Sequence, residues 1–572
     1  MTLRSMVAAL LAFVCAHAPT LGQDSLMPES QGLSSDGREI SSTISGKRIA
    51  GRVRFLASRF MEGREAGTSG ERLAAEYLQA FYFGLGLSPA GDEGSFFQRF
   101  EFDRVSLAER NTLAVIHETA DSTTRSVGTL SRLRNDYEIG DGWLPFNISS
   151  SSKVEGPVVF AGYGITAPEY EYDDYGRHSV RGKIVLLLRG EPREQDPESV
   201  FKGLRYTKHS AFVTKARLAQ QHGAIGVLFV TSPLYGKPSQ QRPGNSLARW
   251  SSLTKRGDFD RRGPADPQEL YPEIAKDIRI PIAHIAPEIA ADLLGRPDRL
   301  AEVQKKIDAS MKALTFDIEG ARIEMELDIK RERIPVLNVV AKLEGSDPTL
   351  AKEHIIIGGH YDHVGYGRFG SATRAWDKLH PGADDNASGT AVIMSIAEAM
   401  ALAETKPKRS ILFLHVTAEE KGLWGSRWFV EHPSVPLEDT VAMLNLDMVG
   451  RNDPSVVSVN GDERAKGLDA LIKRIGKDVL QIEVNNDAGS GIDRSDQWAF
   501  ALKNIPSVAF FSGTHTDYHS PSDVASRIVE QKMQNIARLA TMVAWEISVH
   551  GGETIAAPLS GRQAVTTGDT KP

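Results

Sequence analysis

The chain has 572 residues, of which 41% are hydrophobic and 25% are charged. This profile is that of an ordinary globular protein and excludes a chain that is disordered over most of its length. Acidic residues outnumber basic ones by 74 to 67, and the net charge of -7, without a long basic block, argues against a nucleic-acid partner. At roughly 100–200 residues per domain, the length predicts two to four domains.

Residues 1–22 have the pattern of a secretory signal peptide. Arg4 is followed by the uncharged apolar run Met6–Cys15 and then by small and polar residues. The run is shorter than the roughly 20 residues that span a bilayer, and no other apolar stretch of that length occurs. We predict cleavage before Gln23 and a secreted or periplasmic protein. A lipoprotein anchor on Cys15 is less favoured, because two bulky residues precede it.

The chain contains 1 cysteine, Cys15, which lies inside the predicted signal peptide. The mature protein would therefore contain no disulfide. Any metal that it binds would be held without a thiolate ligand.

The composition changes several times along the chain. Residues 23–44 are rich in Ser, Gly and acidic residues and predict a flexible lead-in, and 551–572 predict a flexible tail. Within 45–129, apolar residues at helical spacing predict a helix over Gly70–Phe83. Residues 130–325 carry short β-type runs and predict a separate, β-rich inserted domain.

Strands and helices alternate over 326–550. The expected strands are Asn338–Leu343, His354–Ile357, Ile411–Val416, Ala442–Leu446 and Ser507–Phe511. The expected helices are Ser388–Leu402, Trp424–Glu431, Lys466–Val479 and Glu530–His550. This pattern predicts an α/β fold, with a mostly parallel mixed sheet flanked by helices.

In such sheets, ligands bind beyond the carboxyl ends of the strands. Four predicted strand ends and one helix start deliver His, Asp or Glu to this edge. These residues are His360, Asp362, Asp385, Glu419, Glu420, Asp447, His515 and His519. A glutamate pair or a lone aspartate after a strand is common by itself, but the convergence of five such positions predicts a functional site.

Imidazole and carboxylate groups together favour zinc, or cobalt or manganese in its place. The four strand ends and the helix start offer five positions for protein ligands, more than the three that one catalytic zinc takes. Five ligands fit two metals about 3.5–4 Å apart that share a carboxylate. Asp385, beside a helix N-terminus, is the natural shared ligand. Glu419 is the candidate general base, and Asp362 is a candidate to accept the second ring N–H of His360.

Five segments resemble the co-catalytic zinc aminopeptidases, a family that also contains glutamate carboxypeptidase II, the transferrin receptor and glutaminyl cyclase. They are Gly359–Gly365 (GHYDHVG), Gly382–Gly389 (GADDNASG), Thr417–Gly422 (TAEEKG), Asn445–Gly450 (NLDMVG) and Asp517–Asp523 (DYHSPSD). The resemblance implies a zinc-exopeptidase fold of the phosphorylase/hydrolase-like type, close to that of bacterial leucyl aminopeptidase. It also implies two Zn2+ per chain. His360 and Asp447 would bind one zinc, Glu420 and His519 the other, and Asp385 would bridge them.

The same resemblance implies roles for neighbouring residues. Glu419 would be the general base. Tyr518, beside a ligand, is either a stabiliser of the oxyanion or a packed loop aromatic. His515 is the alternative to His519 as ligand. The remaining histidines near these motifs match no family position and are interpreted as structural or substrate-facing; they are His363, His380 and His415.

The middle region, with Gly162-Tyr163-Gly164 and Lys215–Val230, resembles the protease-associated domain inserted in several of these peptidases. Residues 130–325 would then be the insert. Residues 45–129 would be the N-terminal part of the peptidase domain, and 326–550 its catalytic part.

The resemblance implies a peptide substrate and favours an aminopeptidase. Carboxypeptidase or dipeptidase action stays open, because the loop Tyr366–His380 carries cations suited to a substrate carboxylate, among them Arg368, Arg374 and Lys378. A glutaminyl-cyclase-like acyltransferase would use one zinc, and a receptor-like binding protein would have lost ligands that are all present here. The sequence leaves the oligomeric state open.

Overall fold

The computed structural model describes residues 32–551 except 121–129, 140–141, 147, 177, 202, 204–206, 236–276, 368–370, 374, 376–377, 462–464 and 487–493. The predicted signal peptide, the tail beyond Gly551, and Arg368 and Arg374 therefore lie outside the described residues. Among the described helices, none combines the length and the hydrophobicity that crossing a membrane requires.

The described residues form two large sheets, one two-stranded sheet and the helices that cover them. In chain order the strands are β1 (Ser88–Pro89), β2 (Phe97–Leu107), β3 (Thr112–Ala120), β4 (Leu130–Tyr137), β5 (Trp143–Pro145), β6 (Ser152–Ala161), β7 (Thr166–Ala167), β8 (Tyr172–Asp173), β9 (Ile184–Leu188), β10 (Gly226–Val230), β11 (Ile282–Ile285), β12 (Thr315–Leu327), β13 (Ile329–Leu343), β14 (His354–His360), β15 (Ser410–Val416), β16 (Thr440–Leu446), β17 (Val456–Gly461), β18 (Glu483–Asn486) and β19 (Ser507–Phe511). The helices are α1 (Ser35–Ser42), α2 (Gly46–Leu56), α3 (Ser69–Gly84), α4 (Phe212–Gln221), α5 (Pro287–Leu294), α6 (Arg299–Ser310), α7 (Gly389–Leu402), α8 (Trp424–Glu431), α9 (Lys466–Ile475), α10 (Gln497–Leu502) and α11 (Glu530–His550).

The first large sheet has the strand order β1-β13-β15-β14-β16-β19-β17-β18, with β2 also paired to β13. Its four central strands, β15, β14, β16 and β19, are parallel, whereas β13 and β17 join them antiparallel. The α/β architecture with a mixed sheet that the sequence predicts is thus confirmed.

The register of the central strands aligns their carboxyl ends. His360 at the end of β14 pairs with Val416 at the end of β15, and Leu446 at the end of β16 pairs with Phe510 of β19. The loops that leave these strands therefore start from the same edge of the sheet.

Helices cover both faces of this sheet. Helices α2, α3, α7 and α11 bury one face, where Leu78, Ile393 and Val543 belong to a single apolar core. Helices α8 and α10 bury the other face through Phe429 and Phe500. Because both faces are covered, the central strands can be apolar along their whole length, and every residue of β14 is buried.

The second large sheet has the order β4-β3-β12-β6-β9-β10-β11-β5, and most of its strands lie in the predicted insert. The chain passes into it between β2 and β3 and returns at Asp328, between β12 and β13. At this crossing the Asn111 side chain donates to the Asp328 carbonyl at 3.1 Å and accepts from the Asp328 N–H at 2.9 Å. The sheet therefore begins with β3, earlier than the predicted boundary at 130, because β3 is needed to pair with β12.

The predicted flexible lead-in at 23–44 is wrong for the part that the structure describes. Helix α1 packs against α11, with Ile40 buried in the core. The Ser34 N–H donates to Glu546 at 2.7 Å, and the Trp545 indole N–H donates to the Ser34 hydroxyl at 3.0 Å. These contacts with the last helix fix a segment whose composition is typical of a linker.

Candidate metal centre

Three overlapping groups of His, Asp and Glu side chains lie where β14, β15 and β16 end. Within each group, the atoms available as ligands lie within 4.8 Å of one another. The groups are His360, Asp385 and Asp447; His360, Glu419 and Glu420; and His363, Asp385, Glu420 and His519. The structure thus brings together the five predicted metal ligands and the predicted base.

Asp385 belongs to two of these groups through different oxygen atoms. Its Oδ1 lies 3.4 Å from His360 Nε2, which is 3.2 Å from Asp447 Oδ1. Its Oδ2 lies 2.8 Å from His519 Nε2, which is 3.1 Å from Glu420 Oε1. We call His360, Asp385 and Asp447 the first donor set. We call His363, Asp385, Glu420 and His519 the second donor set.

His363 is the member of the second set that the sequence analysis did not identify as a candidate metal ligand. Its Nδ1 lies 3.0 Å from Glu420 Oε1 and 3.9 Å from Asp385 Oδ2. The signal available in the sequence was a second histidine three residues after His360, in the loop that leaves the same strand.

A turn of π-helix over Ala383–Ser388 carries Asp385, and two distant residues hold this turn in place. The Asp523 carboxylate accepts the main-chain N–H of Asp385 at 3.2 Å. The fully buried Arg64 donates to the carbonyls of Pro381 and Gly382, at 2.9 Å in each case. The N-terminal and C-terminal parts of the chain thereby position the shared carboxylate together.

Asp362 positions the turn that carries the predicted base. Its carboxylate accepts the N–H of Glu419 at 3.1 Å and that of Glu420 at 3.4 Å. His360 Nδ1 lies 3.2 Å from the main-chain carbonyl of Asp362 and 3.6 Å from its carboxylate. The backbone carbonyl of Asp362 is thus the nearer of its two contacts with the His360 ring, and its carboxylate also accepts from the glutamate turn.

The two histidines of the last loop have different partners. His519 lies in the second donor set, whereas His515 Nε2 is 3.1 Å from Asp384 Oδ2, outside the three groups. Tyr518 stacks on the His519 ring with centroids 3.9 Å apart. On the opposite side of the centre, the Ser495 hydroxyl donates to Asp447 Oδ2 at 2.6 Å, a contact that sequence reasoning did not identify.

Three residues at this edge adopt the left-handed backbone conformation that side chains other than glycine rarely adopt. Ala418 precedes the glutamate pair with φ 55°, Met448 follows Asp447 with φ 53°, and His519 itself has φ 50°. Backbone strain of this kind collects at functional sites, where the surrounding structure imposes it.

The electrostatics of the centre favour a bound cation. Burial disfavours a charged His360, but Asp447 and Glu419 outweigh it and raise the pKa of this imidazole well above its ordinary value. Burial opposes protonation of His519 too, yet Glu420 and Asp385 raise its pKa to about 10. The carboxylates thus attract positive charge, and a divalent cation supplies it without protonating the imidazoles. Nitrogen and oxygen donors of this kind are ligands that zinc accepts, so the residues present fit such an ion.

Comparison with known proteins gives two matching family profiles and several similar relatives. Residues 338–544 match the sequence profile described as Peptidase family M28, and 154–293 match that of the PA domain. The chain is 30% identical over 198 residues to a probable leucine aminopeptidase 2 of Aspergillus oryzae, across 33% of this chain and 36% of the relative. It is 24% identical over 269 residues to a probable leucine aminopeptidase of Arthroderma benhamiae, across 44% of this chain and 70% of the relative.

Among solved structures, the chain is similar to an aminopeptidase from Aneurinibacillus sp. strain AM-1. The TM-score is 0.56 at 20% identity, and the match covers 89% of this chain and 95% of that one. At this identity the similarity concerns the fold.

Proposed function

The chain belongs to peptidase family M28 and carries an inserted PA domain, and we propose that it is a zinc-dependent exopeptidase that removes N-terminal residues from peptides. Relatives named as leucine aminopeptidases support action at the N-terminus. Carboxypeptidase or dipeptidase action at the same site is the alternative. The signal-peptide pattern of residues 1–22 supports a secreted or periplasmic location.

The observation that carries this proposal is the division of Asp385 between two donor sets. One oxygen faces His360 at 3.4 Å and the other faces His519 at 2.8 Å. A carboxylate shared in this way is the usual bridge of a two-metal hydrolase. We therefore propose two zinc ions per chain, one at each donor set.

In the proposed reaction, the chain's own groups bind the substrate and move one proton. Zinc at the donor sets would polarise the scissile carbonyl and lower the pKa of the attacking water towards neutrality. Glu419, whose Oε2 lies 3.9 Å from His360 Nε2, would accept the proton of that water and donate it to the leaving amine. Asp362 would keep Glu419 in position through the 3.1 Å bond to its main-chain N–H. Tyr518, whose ring stacks on His519, either stabilises the oxyanion or only packs against this ligand.

The test is a panel of chromogenic aminoacyl substrates with free or blocked α-amines, assayed with and without a zinc chelator. We expect cleavage of the free-amine substrates, loss of this cleavage in chelator, and two zinc ions per chain by elemental analysis. Cleavage of blocked substrates alone would contradict the aminopeptidase proposal and leave the hydrolase. One zinc per chain would favour a cyclase-like acyltransferase, and none would favour a binding protein.

Secretion is tested separately. Expression of the full chain with separation of cell fractions should yield an exported protein whose N-terminus is Gln23. A protein that stays in the cytosol with Met1 intact would contradict the proposal.

A further inference from the structure

We infer that His363 is a fourth protein ligand of the second metal position, beside Asp385, Glu420 and His519. This inference rests on the proposed two-zinc function and makes the two positions unequal. The first has three protein donors and the second has four.

The distances within the second donor set suit one zinc ion. In a tetrahedral site with zinc–ligand distances of about 2.0–2.2 Å, neighbouring ligand atoms lie roughly 3.3–3.6 Å apart. The separations here are 3.0 Å for His363 Nδ1 to Glu420 Oε1, 3.1 Å for His519 Nε2 to the same oxygen, and 2.8 Å for His519 Nε2 to Asp385 Oδ2. His363 Nδ1 to Asp385 Oδ2 is 3.9 Å. These values bracket the expected one.

The two histidines of the set are nearly equivalent towards Glu420. Their nitrogens lie 3.0 and 3.1 Å from the same carboxylate oxygen, and their rings are nearly perpendicular, at 83°. A perpendicular pair lets both nitrogens point at one position without the rings colliding. The distance to Glu420 that supports His519 as a ligand therefore supports His363 as well.

The surroundings of His363 hold its ring in this orientation. The residue is fully buried, and its main-chain N–H donates to the carbonyl of Arg64 at 3.1 Å. The ring packs directly on Gly382, where a Cβ atom would approach it to 2.5 Å. Its Nε2 is buried and has no hydrogen-bond partner among the described residues, so the polar contacts of the ring run through Nδ1 to the second set.

The competing role is that of a positioning residue, in which His363 Nδ1–H only donates a hydrogen bond to Glu420. The two roles respond differently to substitution. Asparagine retains a short N–H donor but replaces the imidazole, which zinc binds readily, so His363→Asn preserves a hydrogen bond better than it preserves a ligand. His363→Ala removes both.

The decisive experiment measures zinc affinity by competition with a chromophoric chelator for the wild type, His363→Ala and His363→Asn. His380→Asn is the matched control, since this buried histidine lies in the same loop region but outside the donor sets. We expect both His363 variants to lower the zinc affinity of the second position, the one with four protein donors. The loss should exceed the roughly 10- to 100-fold that removal of an outer contact costs. The control should keep both affinities. Wild-type affinity in His363→Ala, or recovery in His363→Asn, would overturn the inference.

A crystal structure of the zinc-loaded wild type gives an answer that does not depend on how the variants fold. A ligand would place His363 Nδ1 about 2.0–2.1 Å from the second zinc. A distance beyond about 3 Å, with both zincs bound, would overturn the inference and leave the proposed function intact. A wild type that binds no zinc would instead contradict the proposed function itself.

Discussion

Two buried clusters of carboxyl groups among the described residues differ in the groups that contact them. In the PA insert, the fully buried Lys215 lies close to Asp174 and Glu191 and donates to the carbonyls of Leu188 and Gly190 at 3.0 and 2.6 Å. Burial lowers the pKa of Lys215 to about 7 and raises the pKa of Glu191 to about 7. Burial thus disfavours the charged forms of both groups.

The metal centre also has a fully buried cation nearby, Arg64. The field of Arg64 reaches Asp385 and Glu420, but its N–H groups donate to main-chain carbonyls. The residues in contact with the carboxylates are instead imidazoles, which can bind a metal. The two clusters thus differ in their direct contacts. Main-chain N–H and hydroxyl groups donate to Asp174 and Glu191, whereas imidazoles contact the carboxylates of the metal centre.

The largest expected effect is on catalysis at the metal centre alone. Replacing Glu419 with Gln removes the proposed base and should lower kcat by about 100- to 10,000-fold, the usual contribution of a positioned acid or base. Zinc content should stay at two per chain, because Glu419 is not among the proposed ligands. Steady-state kinetics and elemental analysis of the same preparation check both points. A variant with near-full activity would remove Glu419 from this role.

The second effect concerns the PA insert alone. Lys215→Met removes the hydrogen bonds that the buried amine donates to the carbonyls of Leu188 and Gly190. It should destabilise the insert by about 2–6 kcal/mol, because each buried acceptor left unpaired costs about 1–3 kcal/mol. Urea unfolding measures this loss, and zinc content should be unchanged. The exposed Lys305→Met is the control and should stay within about 0.5 kcal/mol of the wild type. Loss of zinc in step with stability would show that the two clusters are not independent.

The third effect is the converse of the second. Removing zinc with a chelator should destabilise the catalytic part, because an ion bound to the folded state contributes about 2.7 kcal/mol when its free concentration is 100 times its Kd. Thermal unfolding with and without added zinc should show a lower Tm for the metal-free protein. The shift should be equally large in Lys215→Met. A Tm that does not respond to zinc would contradict the view that the cation is part of the centre.

The sequence predicted elements best where burial follows a regular period. Helices over Trp424–Glu431 and Glu530–His550 have the predicted bounds. The strand ends that carry the candidate ligands were identified too, because continuous apolar runs mark buried parallel strands. Strand β13 begins at Ile329, well before the apolar run predicted at Asn338–Leu343. The added part pairs with β2 over charged stretches such as 331–333. Their charged residues look like loop when only the local sequence is considered.

The candidate site was predictable in its residue types but not in all of its geometry. Strand ends and spacing were enough to gather His360, Asp385 and His519. The orientation of the His363 ring could not be predicted from the sequence. It depends on Arg64 and Gly382, which are far from His363 in the sequence and contact it only in the folded chain. For the same reason, the sequence did not predict that the Asp362 carboxylate accepts the main-chain N–H groups of Glu419 and Glu420.

The smallest expected effect concerns the pH dependence of stability, which should be similar in the insert and in the catalytic part. His284 in the insert and His415 in the catalytic part are fully buried, and burial lowers the pKa of each imidazole to about 3. An unfolded histidine binds a proton near pH 6.5, whereas these stay neutral in the folded state down to about pH 3. Between these values the unfolded state binds more protons, so stability falls as the pH drops from 6.5.

Each histidine should contribute a slope of about 1.4 kcal/mol per pH unit in that window. Gln can donate or accept in the hydrogen bonds that join Tyr82 to His415 and Thr231 to His284, so His415→Gln and His284→Gln are suitable variants. Urea unfolding at pH 6.5, 5.5 and 4.5 should show each substitution reducing the slope of its own region only. An unchanged slope in either variant would mean that burial does not hold that imidazole neutral. Equal reductions in the two variants would show that the two regions bury neutral histidines alike.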